Sequence, residues 1–112
     1  MNKVILIGRL TNDPELKIIN EKGTKVVNFS IAVSRGYKNA NGEIETDFFP
    51  CVAWEKLGEN LSQYVKKGDQ VAVEGKLQNR SYETETGLKR YVTEIIAENI
   101  TYLNKVNTEK GE

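Results

Sequence analysis

The chain has 112 residues, with 16 basic and 16 acidic side chains, one cysteine and no histidine. That length makes one domain with one modest core. The residue counts exclude an intrachain disulfide, a Cys/His metal centre and any nucleophile activated by histidine, and zero net charge leaves no global positive field, so a polyanion must be held by local clusters.

The remaining carboxylates are scattered among lysines on faces that read as solvated, so the chain is not expected to be an enzyme, to use a cofactor or to bind a metal. Cys51 lies in an apolar segment, where a free cysteine acts as a small buried hydrophobe, and a reducing compartment fits it. The apolar run from Val4 to Ile7 is too brief for a signal peptide, and no segment approaches membrane-spanning length. A cytoplasmic protein is expected.

In chain order, Val4-Ile5-Leu6-Ile7 predicts a buried strand, with Gly8 marking a bulge or a close approach. Asn12-Asp13-Pro14 interrupts it and residues 16–19 resume it. Asn20-Glu21-Lys22-Gly23 is a turn. Residues 25–34 alternate with period two, Val27, Phe29, Ile31 and Val33 on one face. Asn41-Gly42 is a strong hairpin signal. The strand over 44–54 becomes apolar on both faces from Phe48 onward: Phe48, Val52 and Trp54 on one, Phe49, Cys51 and Ala53 on the other. One face can fill the core; the other needs a ligand or a partner subunit. Leu57, Leu61, Tyr64 and Val65 predict a helix over 56–67, ended by Gly68, with Lys66 and Lys67 complementing its dipole. Residues 70–77 alternate again, Glu85-Thr86-Gly87 turns, and 91–103 form a last strand. Residues 104–112 read as a short flexible tail.

Three strands, a helix and two strands predict an all-β domain over residues 1–103, a five-stranded OB-fold barrel with extended hairpins. An SH3-like barrel has no natural place for that helix. Across this frame sit four rings with cations beside them. Tyr37 lies between Arg35 and Lys38, Phe48 and Trp54 share a strand with Lys56 close behind, and Tyr82 follows Arg80. Rings that stack on bases and cations that hold phosphates are what a single-strand nucleic-acid groove requires. Centring the first hairpin on Asn41-Gly42 sets Arg35 opposite Phe48, and puts the rings on the same face as Phe29, Ile31 and Val33. Gly36 and Pro50 are the places where a bulge would turn them outward. Centring the second hairpin on Thr86-Gly87 sets Tyr82 opposite Tyr91.

Several segments then resemble bacterial single-stranded DNA-binding proteins. They are residues 2–10 (NKVILIGRL) with Asp13-Pro14-Glu15, then 47–54 (DFFPCVAW) leading into Lys56-Leu57, 64–68 (YVKKG), 73–77 (VEGKL) and 90–94 (RYVTE). The match is colinear over about residues 1–103. The resemblance implies an OB-fold homotetramer that binds single-stranded DNA with little sequence preference and protects it during replication, recombination and repair. It implies base stacking at Tyr37, Phe48, Trp54 and Tyr82. It implies phosphate contacts at Lys3, Lys56, Lys67, Arg80 and Arg90, which Arg35 joins from its place beside Tyr37. It implies subunit pairing through Val4, Ile5, Leu6 and Ile7, with Phe49 at a further subunit contact, and a location with the nucleoid. Several members carry tryptophan where this chain has Tyr37, Phe48 and Tyr82, which implies weaker stacking. Most members run on into a tail with an acidic, hydrophobic tip that recruits enzymes; no such tip precedes Glu112, so recruitment by that route is not expected. Two other readings use the same residues: an oligomerisation or protein-interaction module whose rings are buried between subunits, and an OB-fold that binds RNA.

Overall fold

Among the described residues, six strands and one helix follow in the order β1 (Val4–Leu10), β2 (Glu15–Ile18), β3 (Lys25–Lys38), β4 (Ile44–Trp54), α1 (Glu55–Tyr64), β5 (Gln70–Glu83) and β6 (Lys89–Asn104). The structure is a computed structural model that describes residues 1–104. Neighbouring strands run β1-β5-β6-β4-β3-β2, and a further β1–β3 pairing closes the barrel. β1 meets β3 at Arg9↔Ala32 and Leu10↔Ile31, and β2 carries on down β3 from Glu15↔Asn28. The two segments are thus one interrupted strand, and the closed part is the expected five-stranded barrel. Of the expected tail, Asn104 belongs instead to β6, and the rest lies outside the described residues.

Alternation decides what the barrel encloses, because successive side chains in a strand point to opposite faces. Val27, Phe29 and Ile31 of β3 face inward with Cys51 and Ala53 of β4, Val71 and Val73 of β5, and Ile95 and Ala97 of β6. The helix stops one end of this core with Leu61, and Val65 just past its end adds to the plug; they are 0% and 3% exposed. It ends sooner than its apolar spacing predicts. Val65 adopts φ −127°, ψ 156°, and no basic residue lies in the last turn. Lys66 and Lys67 therefore do not serve the helix dipole. Their backbone N–H groups donate instead to the carboxylates of Asp69, at 2.8 Å, and Asp13, at 2.7 Å. Those bonds hold the chain in an extended path that delivers Gly68, whose N–H donates to Leu10 O at 2.8 Å.

Both long hairpins depart from the expected register, for one shared reason. Each is closed by a three-residue loop in place of a two-residue turn. Asn39 N donates to Glu43 O at 2.7 Å and Gly42 N to Asn39 O at 3.0 Å; Thr84, Leu88 and Gly87 repeat the pattern at 2.8 and 3.0 Å. Gly42 and Gly87 close these loops with φ of 80° and 84°, the left-handed position such loops require. One extra loop residue shifts every pair by one. Tyr82 thus faces Arg90, not Tyr91, which faces Ser81.

In the first hairpin a bulge adds to the shift. Between Ser34↔Thr46 and Lys38↔Ile44, four steps on β3 match two on β4, with Gly36 at φ 82°. Phe48 consequently pairs with Ala32, not with Arg35, and Phe49 pairs with Ile31. The expected sharing of a face between Phe48 and the Phe29–Ile31–Val33 stripe is therefore overturned. Phe48 and Trp54 lie on the outer face. Gly36 supplies the bulge; Pro50 pairs in register with Ser30.

Candidate nucleic-acid interface

The outward positions of four adjacent strands form one continuous face. β3 contributes Val26, Asn28, Ser30 and Ala32. β4 contributes Phe48, Pro50, Val52 and Trp54, paired with those four residues. β6 lies parallel to β4 with Ile96 beside Val52. On the β5–β6 ribbon, Lys76, Gln78, Arg80 and Tyr82 pair with Ile96, Glu94, Val92 and Arg90. A groove of about 450 Å³ crosses this face, lined by Val26, Val52, Trp54 and Ile96 on its apolar side and by Lys76, Gln78, Arg80 and Glu94 on its polar side, with Ile19 and Asn28 at its margin.

All four rings singled out in the sequence are exposed: Tyr37 by 64%, Phe48 by 64%, Trp54 by 42% and Tyr82 by 50%. Trp54 is in the groove itself. Phe48 is six residues back on the same face of β4, roughly 20 Å away at the rise of a strand. Tyr82 continues the stripe of Arg80 toward the tip of the second hairpin. Tyr37 stands beyond the Gly36 bulge on the first. The rings are thus spread along a path, not gathered in one pocket.

The cations divide by what they already hold. The Arg35 guanidinium donates from Nε and Nη2 to both carboxylate oxygens of Asp47, at 2.9 and 3.0 Å, and Nη1 lies 3.3 Å from Glu45 Oε1. Hydrogen bonding to Arg35 holds the Asp47 carboxyl below its ordinary pKa and raises that of Arg35. This arrangement braces the hairpin below Tyr37, and a phosphate would have to displace it. Lys3 meets Glu74 at 3.0 Å, and together with Asn99 it depresses the Glu74 pKa. Lys3 stands just before β1, where the antiparallel register with β5 (Val4↔Gly75) brings it next to Lys76, though it does not itself line the Trp54 groove. Lys56 is highly exposed on the helix, with Glu59 at 3.9 Å. Lys67 and Arg90 are exposed, Arg90 opposite Tyr82. Arg80 donates from Nε to Glu94 Oε1 at 3.0 Å, and that bond raises its pKa.

The expected subunit-contact residues also separate by alternation. Ile5 and Ile7 are exposed, by 64% and 53%. Val4, Leu6 and Phe49 are partly buried and pack against the barrel core. Cys51 is buried, and burial pushes its thiol up to about 12. Among the described residues no group of carboxylate, cysteine or histidine side chains is placed to hold a metal ion, and no helix is long and apolar enough to cross a membrane.

Lys76, Gln78, Asn28, Glu94, Ile96, Val26 and Ile19 belong to the groove and were not singled out from sequence. The signal for the β5 stripe was present: positions 76, 78, 80 and 82 are Lys, Gln, Arg and Tyr, a period-two series continuing past Leu77. It goes unseen when a strand is ended where its apolar residues stop.

Known proteins are similar in fold and in sequence. The solved structure described as a Plasmodium falciparum SSB complex with ssDNA superposes with a TM-score of 0.81 at 31% identity, covering 93% of this chain and 96% of that one. A single-stranded DNA-binding protein 2 of Clostridium acetobutylicum is 50% identical over 103 residues, which make up 92% of this chain and 77% of that protein. A single-stranded DNA-binding protein of Bacillus cereus is 47% identical over 107 residues, 96% of this chain and 62% of that protein. The model of the single-strand binding protein family matches residues 1–103, and the chain belongs to that family.

Proposed function

We propose that this protein binds single-stranded DNA along the outer face of β3, β4, β6 and β5, with little sequence preference and without catalysis. One observation carries the reading: a surface groove lined by an exposed Trp54 together with Lys76 and Arg80, on a face extended by Phe48 and Tyr82. A contiguous exposed apolar face, unlike single scattered rings, marks a site for a ligand or a partner. Every base has a flat face, so stacking supports binding without a sequence code. Coating the strand in this way protects it during replication, recombination and repair, in the cytoplasm and at the nucleoid. The domain is residues 1–104, to the end of β6. Four copies assemble with Ile5 and Ile7 of β1 as the outward apolar contacts, while Val4, Leu6 and Phe49 support that surface from inside.

Titration with oligo(dT) at a series of salt concentrations tests this reading. With no net charge, binding depends on a few local cations. The expected slope of log affinity against log salt is about −0.7 for each phosphate neutralised. Affinity for a duplex of the same sequence should be far weaker, because paired bases offer no face to the rings. Equal binding of duplex and single strand would contradict the proposal. Equal binding of matched DNA and RNA oligomers would extend it to RNA. Tyr37→Ala with Tyr82→Ala should weaken DNA binding and leave the assembled mass unchanged; loss of assembly would assign those rings to a subunit interface.

A further inference from the structure

Glu94 is one of two buried charged residues among those described, and it lies in the groove. Its Oε1 accepts the Arg80 Nε–H at 3.0 Å, while the Arg80 side chain remains half exposed. The ladder explains the contact. Glu94 pairs with Gln78 and Arg80 with Val92, so the two are diagonal neighbours on one face. We propose that Glu94 is a positioning residue that commits Arg80 to bases and withholds it from phosphates. This rests on the single-strand binding proposed above.

A buried carboxylate is costly unless it is paired. A phosphate that took Arg80 from Glu94 would leave that carboxylate uncompensated, and would itself sit beside a like charge. A base edge incurs neither penalty. With Nε held, the planar guanidinium still presents Nη1 and Nη2, and neither has a hydrogen bond to another described residue. These can donate to the acceptors that every base carries, a ring nitrogen or a carbonyl oxygen, or lie flat against a base in the Trp54 groove. Lys76, four residues away on the same face of β5, has no ion pair among the described residues and remains the groove's cation for a phosphate. The groove thus separates two kinds of contact, with bases at Trp54 and Arg80 and a phosphate at Lys76, which lies between them on the ladder.

The test is the salt dependence of oligo(dT) affinity for the full chain and three variants. Glu94→Gln keeps an oxygen acceptor for Arg80 and removes the negative charge. Arg80 then becomes available to phosphate, and the slope should steepen by about 0.7, one additional phosphate. Lys76→Gln should make the slope shallower by about the same amount. Arg80→Lys retains the charge and loses the planar fork, so affinity should fall several-fold at an unchanged slope. Thermal unfolding of each variant accompanies the titrations. Arg80 and Lys76 are exposed enough that their variants read out the inference even if Glu94→Gln fails to fold. A folded Glu94→Gln variant with the parent slope, or an Arg80→Lys variant with parent affinity, would overturn the inference while leaving single-strand binding intact. Failure of the parent chain to bind oligo(dT) at all would overturn both.

Discussion

Replacing Trp54 and Phe48 together by alanine is expected to weaken oligo(dT) binding on the order of 30- to 10⁴-fold. Each stacked base contributes about 1–3 kcal/mol by alanine substitution, a range drawn from single-strand binders of this kind and therefore transferred to this chain, not obtained from its geometry. The two sites are far enough apart on β4 for their effects to add. Two to six kcal/mol, at about 1.4 kcal/mol per tenfold, gives the stated span. The fold should survive, because both rings are already substantially in water and the core on the opposite face of β4 is untouched. Equilibrium binding of the double variant, with circular dichroism as the check on folding, measures the effect. A loss smaller than about threefold would mean that stacking on these rings is not where affinity resides.

Gly75→Ala is expected to destabilise the fold by about 3 kcal/mol or more, the upper part of the cost of overpacking. A Cβ there would overlap the carbonyl oxygen of Ile96 and would lie 2.9 Å from its carbonyl carbon and 3.1 Å from Ala97 Cα. All three are backbone atoms of the strand paired with β5, so no side chain can rotate aside. Gly75 also sits where the β5–β6 register shifts, between Glu74 and Gly75. The close approach is what lets β5 cross from the barrel into the long hairpin, with Lys76, Gln78, Arg80 and Tyr82 all outward. Opening it therefore disturbs stability and groove together. Urea unfolding measures the first, and a loss below about 0.5 kcal/mol, within the ordinary range for a surface change, would contradict this packing.

Much of this architecture could be read before the coordinates, and the misreadings have identifiable causes. The barrel followed from the order of elements, since a helix between the third and fourth strands leaves few β-barrels to choose from. The two-faced apolar character of residues 48–54 foretold an outer surface in need of an occupant. Register was less legible. Asn-Gly suits both a two-residue turn and a three-residue loop with glycine at the left-handed position, and the difference reverses which face each side chain occupies. Gly36 marked the bulge, but no local rule says how many residues a bulge absorbs. The groove's polar side was missed because the outer half of β5 has no apolar alternation to announce it. Glu94 looked like any solvated carboxylate, and only the diagonal across β5 and β6 shows it beneath Arg80. Arg35 was placed by its neighbour Tyr37, whereas the carboxylates that hold it arrive from the other arm of the hairpin, ten and twelve residues later in the chain.

Trp54 is the only tryptophan in the chain, so its emission reports on one point of the groove. Poly(dT) added to the full chain at low salt should quench that emission in proportion to occupancy, and the quenching should reverse as salt is raised. If sedimentation showed the protein saturated with poly(dT) while the Trp54 emission stayed as it is in the free protein, bases do not stack in this groove and the outer face of β3, β4, β6 and β5 is not where the strand lies.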